Sequence, residues 1–204
     1  KNHVWWHRAL YAVELGRDAE VLQLYDDHLA PGPRPFYLDV QNAASLLARL
    51  QFLGVDPGPR WQALVAPVRA LADDFNGAFT EPHKVLALAA AGEIAEAERL
   101  ADSVLTRMKR AGRRDPALAQ VLDGLCRAIV GFYRGDAAEA LELLGPIHGD
   151  LWRLGGSRAQ RDVFEQLTIE AARQANPQID GRALLARREV LRPNSRLVKT
   201  ALSR

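Results

Sequence analysis

Three short stretches of the chain carry more polar chemistry than a packed helix needs. They are Asn2-His3 with His7, Glu81 with His83, and Ser157-Arg158 with Gln160-Arg161-Asp162. Imidazole, guanidinium and carboxylate groups gathered in one concavity would bind an anionic group or run acid/base chemistry. His7, His83, Gln160, Arg161 and Asp162 are therefore the candidate site residues. The opposing reading is local: Arg161 and Asp162 cap and cross-link neighbouring turns, and the histidines fill satisfied core positions.

Other chemistries find less support. His3 and His7 are four apart and share a helix face, so with His83 they would offer imidazoles to zinc. No cysteine and no clear third ligand accompanies the pair, so no metal or cofactor is expected. Cys126 lies within an apolar helical stretch and reads as a small core residue. Ser157 follows two glycines without a preceding strand, so it reads as a helix N-cap and not as a nucleophile. Asp26-Asp27 and Asp73-Asp74 are adjacent pairs, which a helix splays apart. No Gly-rich phosphate loop occurs. The basic stretch Arg107, Lys109, Arg110, Arg113 and Arg114 suits a helix C-terminus; without interleaved aromatics it argues against nucleic acid.

The elements that must position these residues are helices. The 204 residues are 48% hydrophobic and 25% charged, which excludes a disordered chain. Scarce β-branched residues beside abundant Ala, Leu, Arg and Glu favour helix. One cysteine excludes a disulfide scaffold. The most apolar run, Val85 to Ala91, is far short of the roughly 20 residues of a membrane span. With no export signal, the chain reads as cytoplasmic. It opens on Lys1 with Trp5 and Trp6 close behind, so preceding native sequence is expected. From Gly181 to Arg204 seven cations meet one anion, Glu189, which reads as a solvated helix face.

Recurrence gives the organisation. Gly16, Gly54, Gly92 and Gly135 each follow an apolar helical stretch, and a further turn falls near Asn176 and Pro177. Periods of this size indicate stacked helical hairpins. The spacing predicts an all-α chain of about five hairpins, with units about 1–35, 36–76, 77–112, 113–154 and 155–204. Ala97 and Ala140 each fall five residues past a glycine. That spacing resembles the centre of the tetratricopeptide repeat, and the resemblance implies that these small residues let a second helix cross the first closely. Around Gly16 the match is looser and around Gly54 it fails, so the repeats are degenerate. Trp5 and Trp6 cannot both face inward.

Longer strings resemble the tetratricopeptide-repeat protein 38 family. They include Trp5-Trp6-His7, Leu24-Tyr25-Asp26, Gly58-Pro59-Arg60-Trp61, Phe79-Thr80-Glu81-Pro82-His83 and Phe132-Tyr133-Arg134-Gly135. The most specific runs from Gly155 to Phe164, and Arg192-Pro193-Asn194-Ser195 resembles the family's close. The resemblance spans essentially the whole chain and implies an alpha-alpha superhelix that is part of a longer solenoid. Pro82, Lys84 and Arg158 depart from the family pattern.

Three functions follow as expectations. The first is a scaffold that binds a peptide, a protein partner or a small anionic ligand in a concave groove lined by the first helices. The second is an enzyme, or an enzyme-accessory domain, using the His/Arg/Asp cluster. The third is an assembly module that forms a homodimer through an uncapped solenoid end. No membrane partner is expected.

Overall fold

In the computed structural model, which describes residues 2–176 and 181–203, the four recurring glycines end their helices in the same way. Gly16, Gly54, Gly92 and Gly135 have φ of 72°, 79°, 84° and 95°, the left-handed region that a Cβ disfavours. At each one the next amide donates back to an orphan carbonyl of the ending helix: Arg17 to Ala12, Val55 to Leu50, Glu93 to Leu88, and Asp136 to Gly131. This is the paired-bond helix stop that glycine permits. Lys1, Pro177 of the expected fifth turn, Arg204 and the Asn2 side chain lie outside the described residues.

The four stops separate four helix pairs. They are α1 (Asn2–Glu14) with α2 (Asp18–Leu24, extended by a π-helical turn, Tyr25–Leu29), α3 (Tyr37–Phe52) with α4 (Arg60–Arg69), α5 (Thr80–Ala90) with α6 (Ile94–Arg110), and α7 (Pro116–Arg134) with α8 (Ala137–Leu144). A 3-10 helix (Gly145–Leu154) then leads to α9 (Arg158–Ala175), α10 (Arg182–Leu191) and α11 (Arg196–Leu202). Every described regular element is helical. No helix is long and apolar enough to cross a membrane among the described residues. The sequence places segment 145–154 only at the end of the fourth unit; Gly145, Pro146 and Gly149 in it all disfavour an α-helix. It folds as a 3-10 helix because Ile147, Leu151 and Leu154 still reach the core.

Helices pack within each pair, and the first helices also pack in series: α1 on α3, α3 on α5, α5 on α7. Ala97 and Ala140 are fully buried. A Cβ built on Gly131 of α7 would lie 3.7 Å from the Ala140 amide nitrogen, so these two helices do cross closely. Trp6 points into the core, while Trp5 is half-buried and stacks on His28 at 3.8 Å between ring centroids.

The series changes direction at α9. It packs against α8 but also lies across α3, where Arg49 donates to the Ala159 carbonyl at 2.7 Å. Its Phe164 ring sits 6.1 Å from Phe79 and 4.9 Å from His83, at the start of α5. Every residue from Val40 to Leu50 of α3 and from Thr80 to Ala89 of α5 is buried. A helix buried on all sides has neighbours on all sides. α9 packs on α3, and its Phe164 reaches the start of α5. Further on, Arg196 of α11 pairs with Asp18 at 2.6 Å and donates to the Val13 carbonyl, tying the last helix to the first hairpin turn.

Phe164 is the apolar anchor of this crossing. Phe164→Ala is expected to destabilise the fold by about 3–5 kcal/mol. Urea unfolding checks this; a loss below about 1 kcal/mol would mean that α9 is not anchored there.

Candidate functional site

α9 carries its polar residues on two faces. Asp162 points inward and is buried, and its carboxylate accepts from Arg188 Nη1 and Nη2 at 2.9 and 3.1 Å and from Gln166 at 2.7 Å. Arg192 also approaches it, at 3.2 Å. Arg188 Nε donates to the Ser195 hydroxyl, so the guanidinium is locked by α9 and by the residue ahead of α11. Desolvation is the largest single influence on Asp162 and opposes its ionisation. Bonding to Arg188 and the charges of Arg49, Arg188 and Arg192 together outweigh it and hold the carboxyl below its usual value. Arg49 is buried beside this group, bonded to the Ser45 carbonyl and hydroxyl and lying over the Trp6 ring. Burial lowers its pKa to about 10, with Asp162 opposing the shift.

The histidines stand elsewhere. His83 is fully buried; its Nδ1 lies 2.8 Å from the Phe79 carbonyl and its ring packs on Phe164. Burial pushes it down to about 4, and the nearby Arg49 charge adds to that, so it is neutral near pH 7 with Nδ1–H donating. The neighbouring Glu81 does not reach it. Its carboxylate is taken by Lys84 at 2.9 Å, Arg107 at 2.7 Å and the Asn76 amide at 3.2 Å. Lys84 spends its other two donors on the Leu71 and Asp74 carbonyls, and burial lowers its pKa against the pull of Glu81. His7 is exposed on α1, with His3 Nε2 at 3.2 Å and the Trp6 ring beside it. No group of three or more His, Cys, Asp or Glu side chains able to hold a metal occurs among the described residues. Burial raises the Cys126 thiol well above its usual pKa, so it is inert in the core.

At its N-terminus α9 turns a second face outward. The Gln160 amide donates to the Ser157 hydroxyl, and the Gln160 side chain accepts from the Ser157 amide. This reciprocal cap accounts for Gln160. Arg158, Arg161 and Glu165 lie at helical spacing and line a cleft of about 200 Å³, closed by Arg187, Arg188 and Leu191 of α10, by Arg192 just after it, and by His148, Leu151 and Trp152 of the 3-10 helix. Five guanidiniums thus meet one carboxylate on its walls. Arg188 and Arg192 lean on Asp162 behind, and Arg161 donates to the Gly155 and Gly156 carbonyls. Arg158 and Arg187 have no hydrogen bond or ion pair among the described residues. His148 Nδ1 is also buried there without a partner. Desolvation lowers the His148 pKa, with Glu165 opposing and the Arg187 charge adding to it.

Of the five candidate residues, then, Arg161 lines the cleft and Asp162 stands behind it. Gln160 caps the same helix, His83 lies in the core against α9, and His7 lies outside the cleft. Arg187, Arg188 and Arg192 sit in the basic stretch that read as a solvated face, yet Arg188 is only 3% exposed. Arg188 and Arg192 are four apart, a spacing that sets both on one helical side and could have found them; Arg187, adjacent to Arg188, falls about 100° away. No protein-family model matches the chain, and no solved structure matches it.

Two titrations follow. The unfolded chain binds a proton at His83 near pH 6.5, whereas the folded protein resists it down to about 4. Stability is therefore full above pH 6.5 and falls as the pH drops towards 4. Asp162 adds a loss only as the pH falls below its ordinary 3.8. Denaturation across pH is expected to flatten between 6.5 and 4 in His83→Leu but not in Asp162→Asn. At pH 7, Asp162→Asn is expected to cost about 3–5 kcal/mol, because buried guanidiniums lose their counter-charge.

Proposed function

We propose that this chain is a tetratricopeptide-like helical scaffold whose function is to bind a small polyanion in the arginine cleft between α9, α10 and the 3-10 helix. The observation that carries this reading is the pair Arg158 and Arg187, whose side chains form no ion pair among the described residues and which, with three further guanidiniums, line a cleft that holds one carboxylate, Glu165. Cations so concentrated repel one another unless an anion joins them. Guanidinium forks match the paired oxygens of phosphate and carboxylate groups. The repeated glycine stops, the small residues at the helix crossings and the resemblance to the tetratricopeptide-repeat protein 38 family support the scaffold half of the proposal.

Binding is favoured over acid/base catalysis. Neither His83 nor His7 bonds to a carboxylate, and His83 is sealed from solvent. A general base needs reach to a substrate proton.

Inorganic phosphate, compared with chloride at matched ionic strength, is expected to raise the melting temperature in a saturable way. At a hundredfold excess over the dissociation constant the gain is about 2.7 kcal/mol. Arg158→Ala with Arg187→Ala is expected to weaken binding at least about a hundredfold, each lost charge-assisted bond costing about 1.5–3 kcal/mol. Neither side chain has a partner among the described residues, so the unliganded melting temperature should stay put or rise. Equal phosphate stabilisation of both proteins would remove the cleft as the site.

A further inference from the structure

Beside its arginines the cleft carries two exposed apolar side chains. Trp152 is 57% exposed and Leu191 is 56% exposed, and both line the cleft. A bare inorganic ion would leave these two side chains in water. The Trp152 ring is also held in place. The Arg153 guanidinium lies over it at 4.6 Å from the centroid, and the Asp150 carboxylate accepts from Arg153 Nε at 2.9 Å. A chain of carboxylate, guanidinium and indole therefore covers one ring face. Fixing a ring in advance lowers the entropy cost of stacking a ligand on it. An indole kept only for burial would need no such brace.

We propose that the cleft recognises a phosphate monoester carried on a single aromatic ring. The phosphate oxygens sit among Arg158, Arg161 and Arg187, and the ring lies between Trp152 and Leu191. The inference rests on the anion-binding reading and adds the group that bears the anion. Size sets the limit at one ring: about 200 Å³ falls below the roughly 300–1,000 Å³ of sites for drug-sized ligands. The bidentate donors of guanidinium suit the terminal oxygens of a monoester dianion. Offset stacking of an aromatic pair adds specificity that an aliphatic group of the same bulk lacks.

Calorimetric titration of the whole chain with inorganic phosphate, phenyl phosphate and cyclohexyl phosphate tests this. Phenyl phosphate is expected to bind about five- to tenfold tighter than either of the other two. Trp152→Ala is expected to erase that preference while keeping the affinity for inorganic phosphate, and Trp152→Phe to restore most of it. Equal affinity for phenyl and inorganic phosphate would overturn the aromatic requirement and leave the polyanion reading standing. Equal affinity for phenyl and cyclohexyl phosphate would overturn stacking on Trp152. Binding of none of the three would overturn both readings. A phosphotyrosine hexapeptide separates the sources: affinity above that for phenyl phosphate assigns the ring to a protein, and lower affinity to a free metabolite. Either result upholds aromatic phosphate recognition.

Discussion

A carboxylate buried on α9 constrains the rest of this molecule. Asp162 is removed from water, and the cost of that is tolerable only if cations come with it. Arg188 arrives from α10, Arg192 from the turn after it, and Arg49 from α3, far away in sequence. Satisfying one charge therefore draws together elements that the local hairpin pattern would leave apart. Such a group stabilises little beyond an apolar alternative, but breaking it strands several charges at once. It makes one placement of α9 much better than its neighbours. The polar row on α3, Gln41, Asn42, Ser45 and Arg49, is buried too, with Gln41 bonded to Thr80 of α5 and Arg49 to Ala159 of α9.

The same carboxylate connects the interior to the outer cleft. Arg188 and Arg192 are held from behind by Asp162 while they line the cleft in front. Arg161 is fixed by the carbonyls of Gly155 and Gly156. Three guanidiniums are thus oriented before any ligand arrives, which lowers the entropy cost of binding. Arg158 and Arg187 supply charge that the fold does not consume. The division between guanidiniums that build and guanidiniums that remain is what makes the cleft more than a basic surface.

The second buried ionic group explains why the polar start of α5 does no acid/base work. Glu81, Lys84 and Arg107 satisfy one another and nearby backbone groups, and the imidazole of His83 turns to Phe79 and Phe164 instead. In sequence, Glu81 and His83 look like a carboxylate–imidazole pair. On a helix, residues two apart diverge, and here each meets a different neighbour.

What the amino-acid sequence determined by itself is the local architecture. Helix stops at Gly16, Gly54, Gly92 and Gly135, the Ser157 cap, and the buried Ala97 and Ala140 were legible because each depends on hydrogen bonds or contacts within a few residues. The segment 145–154 was not, since its breakers conceal three core contacts. Only the tertiary structure decided that α9 would lie across α3, and that Arg158 and Arg161 would share a cleft with Arg187, Arg188 and Arg192. Periodicity identifies the face a residue occupies, but not which distant face will meet it. That choice depends on burying Asp162 with its partners and Phe164 with its own, a condition met only when the whole chain is packed.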